Sequence, residues 1–352
     1  MSTAPDFDVS ILKPLWTRRE DGRWAVHGAK GIKLAPRAGH EPDYFQFESD
    51  VELLSNSPPT NIGDFLSSFG STNFLLKQSI LPVVVWEQGA PSIRCIGTAF
   101  VVSCTGYVIT ACHVLTDPRE RGYGKGTLRD TTVDKIEMHD GFLMGVLMPL
   151  APGSGVKGFR VLQFEQGWYW GNWAESPLIH EKEKFEGVTD VAVCKLRQNQ
   201  DGSAHQPLNL SLHPFVKGEK AYAIGYAEME DIQVEYDNGQ PKIVDFKWDL
   251  YVSVGEVVEV FPQNHLSKAI PAPGPSFDFR ARIPGKMSGA PIFGAQGAVV
   301  RGVVSRSFSG EKHAFGSMIG PALTLPLSDG SSLKSKMNSG NEGMAVVMGQ
   351  GL

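Results

Sequence analysis

From about residue 79 to 327, apolar residues fall in short runs separated by glycine, proline and serine. Ten runs read as strands: 80–86, 93–103, 106–111, 158–165, 190–196, 219–225, 249–261, 276–282, 290–294 and 298–305. Many are rich in Val, Ile, Phe and Tyr, whose side chains suit a pleated, half-buried surface, and turn residues bound them. The pattern predicts an all-β domain. Residues 117–188 break the rhythm with a long turn-rich stretch. Its densest feature, Gly167-Trp168-Tyr169-Trp170-Gly171-Asn172-Trp173, reads as a loop that anchors itself through its rings.

The flanks follow other rules. Residues 1–75 scatter Trp16 and Trp24 among polar and turn residues and form an N-terminal extension of unknown role, expected to be mostly irregular. Asn61 and Asp64 can cap a short helix through Phe65 and Leu66. The tail, 328–352, is rich in Gly and Ser and expected to be mobile. No internal repeat is visible.

Composition narrows the function classes. With 352 residues the chain can bury one large core or two modest ones. Its 39 glycines and 23 prolines exceed what a helical bundle tolerates and suit strands joined by turns. A net charge of -5 gives no support for nucleic-acid binding. The mixed-sign run Arg18-Arg19-Glu20-Asp21 reads as solvated surface. No apolar run approaches the roughly 20 residues needed to span a bilayer. The first thirty residues carry Asp6, Asp8 and Lys13 without an apolar signal core, which predicts a cytoplasmic protein without a membrane partner. Cys95, Cys104, Cys112 and Cys194 lack C-x-x-C spacing and read as reduced core thiols. Neighbouring Cys112 and His113 would point to opposite faces of a strand, which argues against zinc.

Three segments carry candidate chemistry, in the order Thr110-Ala111-Cys112-His113, Thr189-Asp190-Val191-Ala192-Val193 and Ser288-Gly289-Ala290-Pro291. A serine hydroxyl is a weak nucleophile at neutral pH. It needs a base to take its proton and a third group to hold that base in the right tautomer. His113 ends an apolar strand and can face a cleft as general base. Asp190 opens a strand and can accept the imidazole N–H. Ser288 sits among small residues that permit a tight turn, which can aim the N–H groups of Lys286 and Ser288 at one point. The order His, Asp, Ser excludes an α/β-hydrolase, which runs Ser, acid, His; Lys286 and Ala290 also occupy the glycine positions of its nucleophile elbow. It also excludes the Asp, His, Ser order of subtilisin-type chains.

Together these segments resemble the trypsin/chymotrypsin-like serine peptidases, more closely the bacterial trypsin-like and Deg-type members, over most of 93–327. Gly97-Thr98-Ala99-Phe100-Val101-Val102 is similar to the strand before the histidine, and Thr110-Ala111-Cys112-His113-Val114 to the T-A-x-H box. Asp190-Val191-Ala192-Val193 is similar to the D-[IV]-A box, and Ala223-Ile224-Gly225-Tyr226 to a strand and turn of the second barrel. Ser288-Gly289-Ala290-Pro291 resembles S-G-G-P, and Gly302-Val303-Val304-Ser305 the strand that pairs with substrate. The interval from His113 to Asp190 is longer than usual, and the turn-rich insertion accounts for the excess.

The resemblance implies two six-stranded antiparallel barrels, about 76–205 and 206–327, with a cleft between them. It implies peptide-bond hydrolysis of a polypeptide substrate through an acyl-enzyme, with catalytic His113, Asp190 and Ser288, oxyanion N–H groups on Lys286 and Ser288, and no metal or organic cofactor. Arg282, Ser305 and Arg306 would line the substrate cleft, and the two arginines would favour an acidic or polar side chain before the scissile bond. Three departures bear on this. Lys286 replaces the glycine two before the nucleophile, so the loop is expected to be collapsed until substrate binds. Met287 stands where zymogen-activated members have aspartate, which argues against activation by a freed N-terminal amine. Ala290 replaces a second glycine. The Lys286 departure keeps an alternative open, a weak or inactive trypsin-like module that binds peptides or protein partners.

Overall fold

The computed structural model describes residues 74–118 except 88, then 124–129, 133–138, 142–149, 159–175, 183–197, 204–237, 240–243, 250–262, 274–295, 299–307 and 313–340. It also describes the strand segments 7–11, 15–18, 24–27, 32–36, 53–55 and 347–348. Twelve strands build two closed barrels. The first contains β1 (Ile80–Glu87), β2 (Ser92–Val101), β3 (Tyr107–Thr110), β4 (Phe142–Pro149), β5 (Phe159–Glu175) and β6 (Glu183–Leu196). Its order is β4-β1-β2-β3-β6-β5, and antiparallel pairing of β4 with β5, from Gly145↔Gln163 to Pro149↔Phe159, closes the ring.

The second barrel contains β7 (Lys220–Tyr226), β8 (Leu250–Phe261), β9 (Ser276–Phe279), β10 (Pro291–Gly294), β11 (Val299–Ser307) and β12 (Ala314–Met318). Its order is β7-β10-β11-β12-β9-β8, and β7 closes on β8 from Lys220↔Glu256 to Tyr226↔Leu250. Closure removes the open sheet edges that would otherwise leave backbone N–H and C=O groups unpaired. This is the two-barrel, chymotrypsin-like architecture that the resemblance implied.

All ten predicted runs fall on barrel strands, and two barrel strands escaped prediction. β4 (Phe142–Pro149) is rich in Leu and Met, lacks alternation and lies inside the stretch read as turns. β12 (Ala314–Met318) is short and carries Gly316 and Ser317, residues poor in strand propensity. The aromatic cluster is a correction. It is not a loop but the middle of the 17-residue β5, where Trp168 and Tyr169 are both buried. Adjacent side chains can both be buried because one face of β5 fills the barrel while the other is covered. Trp170 Nε1 donates to Pro321 O at 2.7 Å, from a short helix (Gly320–Leu323) that follows β12.

The covering continues into the segment expected to be mobile. Leu333–Gly340 is helical, and its Leu333 and Met337 join Leu323, Leu325 and Leu327 in the core cluster centred on barrel one. Serine and glycine set the composition of this segment, but two apolar residues four apart suffice to dock one helical turn. Of the N-terminal region, Leu53–Ser55 pairs in parallel with Leu250–Val252 of β8, and Trp24–His27 and Leu15–Arg18 add in turn. The predicted helix at 64–66 lies outside the described residues. No helix among the described residues is long and apolar enough to cross a membrane. None of Cys95, Cys104, Cys112 and Cys194 is in a disulfide. Burial pushes the Cys95 thiol up to about 12 and Cys194 higher still, which keeps both protonated.

The seam between the barrels is polar at its centre. Tyr226 Oη, fully buried, donates to Ile80 O at 3.0 Å, and Tyr226 N–H donates to Thr98 Oγ1 at 3.1 Å. Buried polar groups persist only when hydrogen-bonded, so these pairs set one relative placement of the barrels.

Candidate active site

His113 is the second residue of helix α1 (Cys112–Pro118), which follows β3 after Ala111. The strand therefore stops three residues before the histidine, and Cys112 and His113 share a helical turn rather than opposite faces of a strand. The helix start brings the His113 N–H to Asp190 Oδ1 at 2.9 Å, while the ring Nδ1 lies 2.8 Å from Oδ2. With the carboxylate ionised, Nδ1 carries the proton and donates, which leaves Nε2 as the acceptor of the neutral ring.

Asp190 does not open its strand, as expected, but lies well inside β6 (Glu183–Leu196). There the register against β5 jumps, from Ala192↔Tyr169 to Gly187↔Gly171. An irregularity of this kind locally frees a strand from pairing and re-aims a side chain. Asp190 is 5% exposed, and a buried carboxylate must be satisfied by donors. It has three: His113 N–H, His113 Nδ1 and the Ser305 hydroxyl.

These contacts set the charges. Burial alone would raise the Asp190 carboxyl, but the His113 charge and the three hydrogen bonds overcome it and hold it at about 2. Burial pulls the His113 imidazole down. The Asp190 charge and hydrogen bond outweigh that and raise it above the ordinary value, against an opposing pull from Arg306.

Ser288 stands on the turn before β10 (Pro291–Gly294). Its Oγ donates to Ser305 O at 3.2 Å and makes no hydrogen bond to His113. The structure thus joins the three segments through Ser305, whose hydroxyl serves Asp190 and whose carbonyl holds Ser288. Ser305 was expected at the substrate surface; it is fully buried, with its hydroxyl turned to the carboxylate.

The turn is fastened on both sides. Thr98 N–H donates to Ser288 O at 2.8 Å, and Gly289 N–H to Val304 O at 2.8 Å. Gly289 has φ +87, and a Cβ there would lie 2.1 Å from Thr98 O and 2.2 Å from Thr110 Oγ1. Only glycine fits so close to the other barrel. Met287 is fully buried among apolar neighbours of barrel two.

Lys286 sits at φ +71, a left-handed conformation that costs a residue with a Cβ roughly 1–2 kcal/mol. Gly285 O accepts from Glu228 N–H at 3.0 Å, and Lys286 O from Thr98 Oγ1 at 3.1 Å. In a trans peptide the C=O and N–H point opposite ways. With Gly285 O turned to Glu228, the N–H of Lys286 faces away from that segment. Neither it nor the N–H of Ser288 finds an acceptor among the described residues.

Arg282 and Arg306 are exposed. The segments carrying them are tied by Ser307 Oγ, which donates to Ile283 O at 3.1 Å, and Arg282 O accepts from Ser253 Oγ at 2.6 Å. Sequence reasoning missed Thr98 as a hinge between barrel one and the Ser288 turn, although its segment was part of the resemblance. It also missed Glu228 and Met229, for which local sequence carries no signal.

The profile of the trypsin-like peptidase domain matches residues 97–300, more than half of the chain. The chain belongs to the trypsin-like peptidase family. All three segments singled out in the sequence lie within the matched residues of this trypsin-like peptidase domain. Solved structures similar to it include Deg5, at 15% identity and TM-score 0.43, covering 74% of this chain and 90% of that one. The active form of the Rv3671c protease from M. tuberculosis is similar at 15% identity and TM-score 0.39, over 81% of this chain and 91% of that one. The MamO protease domain from Magnetospirillum magneticum is similar at 14% identity and TM-score 0.38, over 70% and 95%. No curated protein sequence matches the chain.

Proposed function

We propose that this trypsin-like peptidase domain is a serine endopeptidase that cleaves polypeptides through an acyl-enzyme. The observation that carries the reading is the buried Asp190 carboxylate 2.8 Å from His113 Nδ1, with Ser288 one shared residue away through Ser305. Ser288 Oγ attacks the scissile carbonyl carbon as His113 Nε2 takes its proton. Asp190 keeps the proton on Nδ1 and stabilises the imidazolium that forms. The N–H groups of Lys286 and Ser288 receive the developing oxyanion. His113 then returns its proton to the leaving amine, and water, activated by the same nitrogen, releases the acyl group.

For attack the Ser288 hydroxyl turns from Ser305 O to His113, a side-chain rotation of the kind that closes catalytic hydrogen bonds on substrate binding. The resting Ser288–Ser305 bond is also what favours the second reading, a peptide-binding module with a weak or silent triad. A fluorophosphonate probe distinguishes them, since it phosphonylates only an activated serine. The labelling rate rises with pH as His113 loses its proton. Because the Asp190 charge raises that imidazole, the midpoint lies above the ordinary histidine value of 6.5. Absent labelling, adducts mapped by mass spectrometry away from Ser288, or a rate flat from pH 5 to 8 would each sink the peptidase reading.

Arg282 and Arg306 are exposed on segments joined by the Ser307–Ile283 hydrogen bond, and the Arg306 charge reaches His113. They favour an acidic or polar side chain before the scissile bond. A peptide-library profile with a basic preference there would refute this.

A further inference from the structure

We infer that Lys286 is a positioning residue whose side chain, clasped by the segment after β7, holds the 285–286 peptide in the orientation that presents its N–H to substrate. The inference rests on the peptidase reading above and deepens it. Among the described residues only Glu228 and Lys286 are non-glycine residues with positive φ, at +49 and +71. They face each other across one contact, since Glu228 N–H donates to Gly285 O at 3.0 Å. The Lys286 ammonium then reaches back to the same segment and donates to Met229 O. Two strained positions and two hydrogen bonds thus form a single clasp, with Met229 buried.

Each part has a physical reason. Glycine would hold a positive φ without cost; lysine does not, and left alone its peptide would relax toward negative φ. That relaxation swings the N–H of Lys286 away and brings the Gly285 carbonyl toward the cleft, where it would repel an oxyanion. The Met229 bond opposes this swing. Because the ammonium is spent on Met229, it acts through the backbone and not as a direct charge on the oxyanion. The segment is itself braced, since Ile232 and Gln233 just beyond it pair with Ile93 and Ser92 of β2. The expected collapse of the loop is thereby countered from barrel one, through a side chain that replaces the usual glycine.

The test compares full-length Lys286→Met and Lys286→Gly with the wild-type protein. Methionine keeps the Cβ and length but loses the donor. Fluorophosphonate labelling of Lys286→Met is expected to slow roughly tenfold, and with a peptide substrate the loss falls on kcat rather than KM. Lys286→Gly labels faster than Lys286→Met, because glycine tolerates the positive φ unaided. Amide exchange over 226–231 and 284–289 speeds up in Lys286→Met. Equal labelling of Lys286→Met and wild type, or Lys286→Gly slower than Lys286→Met, would overturn the inference. A wild-type protein that does not label refutes the peptidase reading instead. The clasp is then judged on exchange alone, and exchange in Lys286→Met identical to wild type overturns it.

Discussion

Ser288→Ala is expected to abolish fluorophosphonate labelling and to lower peptide hydrolysis on the order of a millionfold in kcat, the loss seen when a triad loses its nucleophile. The substitution deletes one oxygen that donates a single 3.2 Å bond to Ser305 O. A bond of that kind contributes about 1 kcal/mol to folding, so the urea unfolding midpoint should hardly move. The turn survives because its fastenings are backbone groups: Thr98 N–H on Ser288 O and Gly289 N–H on Val304 O. Labelling and kinetics therefore report on chemistry rather than on folding. Hydrolysis by the alanine variant within tenfold of wild type would remove Ser288 from the mechanism, and a large fall in midpoint would assign it a structural role.

Asp190→Asn should cost about 10⁴-fold in kcat, because an amide can hold the ring in the wrong tautomer and carries no charge to balance the imidazolium. The His113 titration gives the argument a second readout. Burial lowers that imidazole most, the Asp190 charge and hydrogen bond raise it, and the Asp117 charge adds a smaller upward push. Without them the net direction reverses, and proton NMR should find His113 titrating below its ordinary value of 6.5. Stability depends on pH as well. A raised histidine contributes stability that is fully present below its unfolded pKa and lost as pH rises through its folded one. A carboxyl depressed to about 2 contributes stability present above its unfolded pKa and lost as pH falls toward 2. Asp190→Asn removes both, so its deficit is largest between these limits, in mildly acidic solution. Retention of more than a tenth of wild-type activity, or an unmoved His113 titration, would sink the assignment of Asp190.

Much of the fold was legible from local pattern. Apolar, Val-containing runs such as 80–86 and 190–196 announce strands because a side chain's fit to a pleated surface is decided by its own shape and its neighbours two apart. β12 and β4 were invisible because their strand character comes from partners. Ala314–Met318 is a strand through its antiparallel bonds to β9 and β11, and Phe142–Pro149 through closure of its barrel. The aromatic run 167–173 misled for the same reason. Two rings buried on opposite faces of one strand require a second layer, and that layer comes from residues after β12, with Pro321 151 positions beyond Trp170.

By itself, then, the sequence determined the strand-rich class, the order of the His113, Asp190 and Ser288 segments, and the anomaly at Lys286. These are properties of residue type and spacing, readable without knowing what lies beside what. Only the tertiary structure decided that Asp190 meets His113, that Ser305 turns inward to bridge them to Ser288, and that Lys286 is held by Met229. Each of these depends on a contact between segments far apart in the chain, and no local preference encodes the direction in which a side chain or peptide plane turns once the two barrels close against each other.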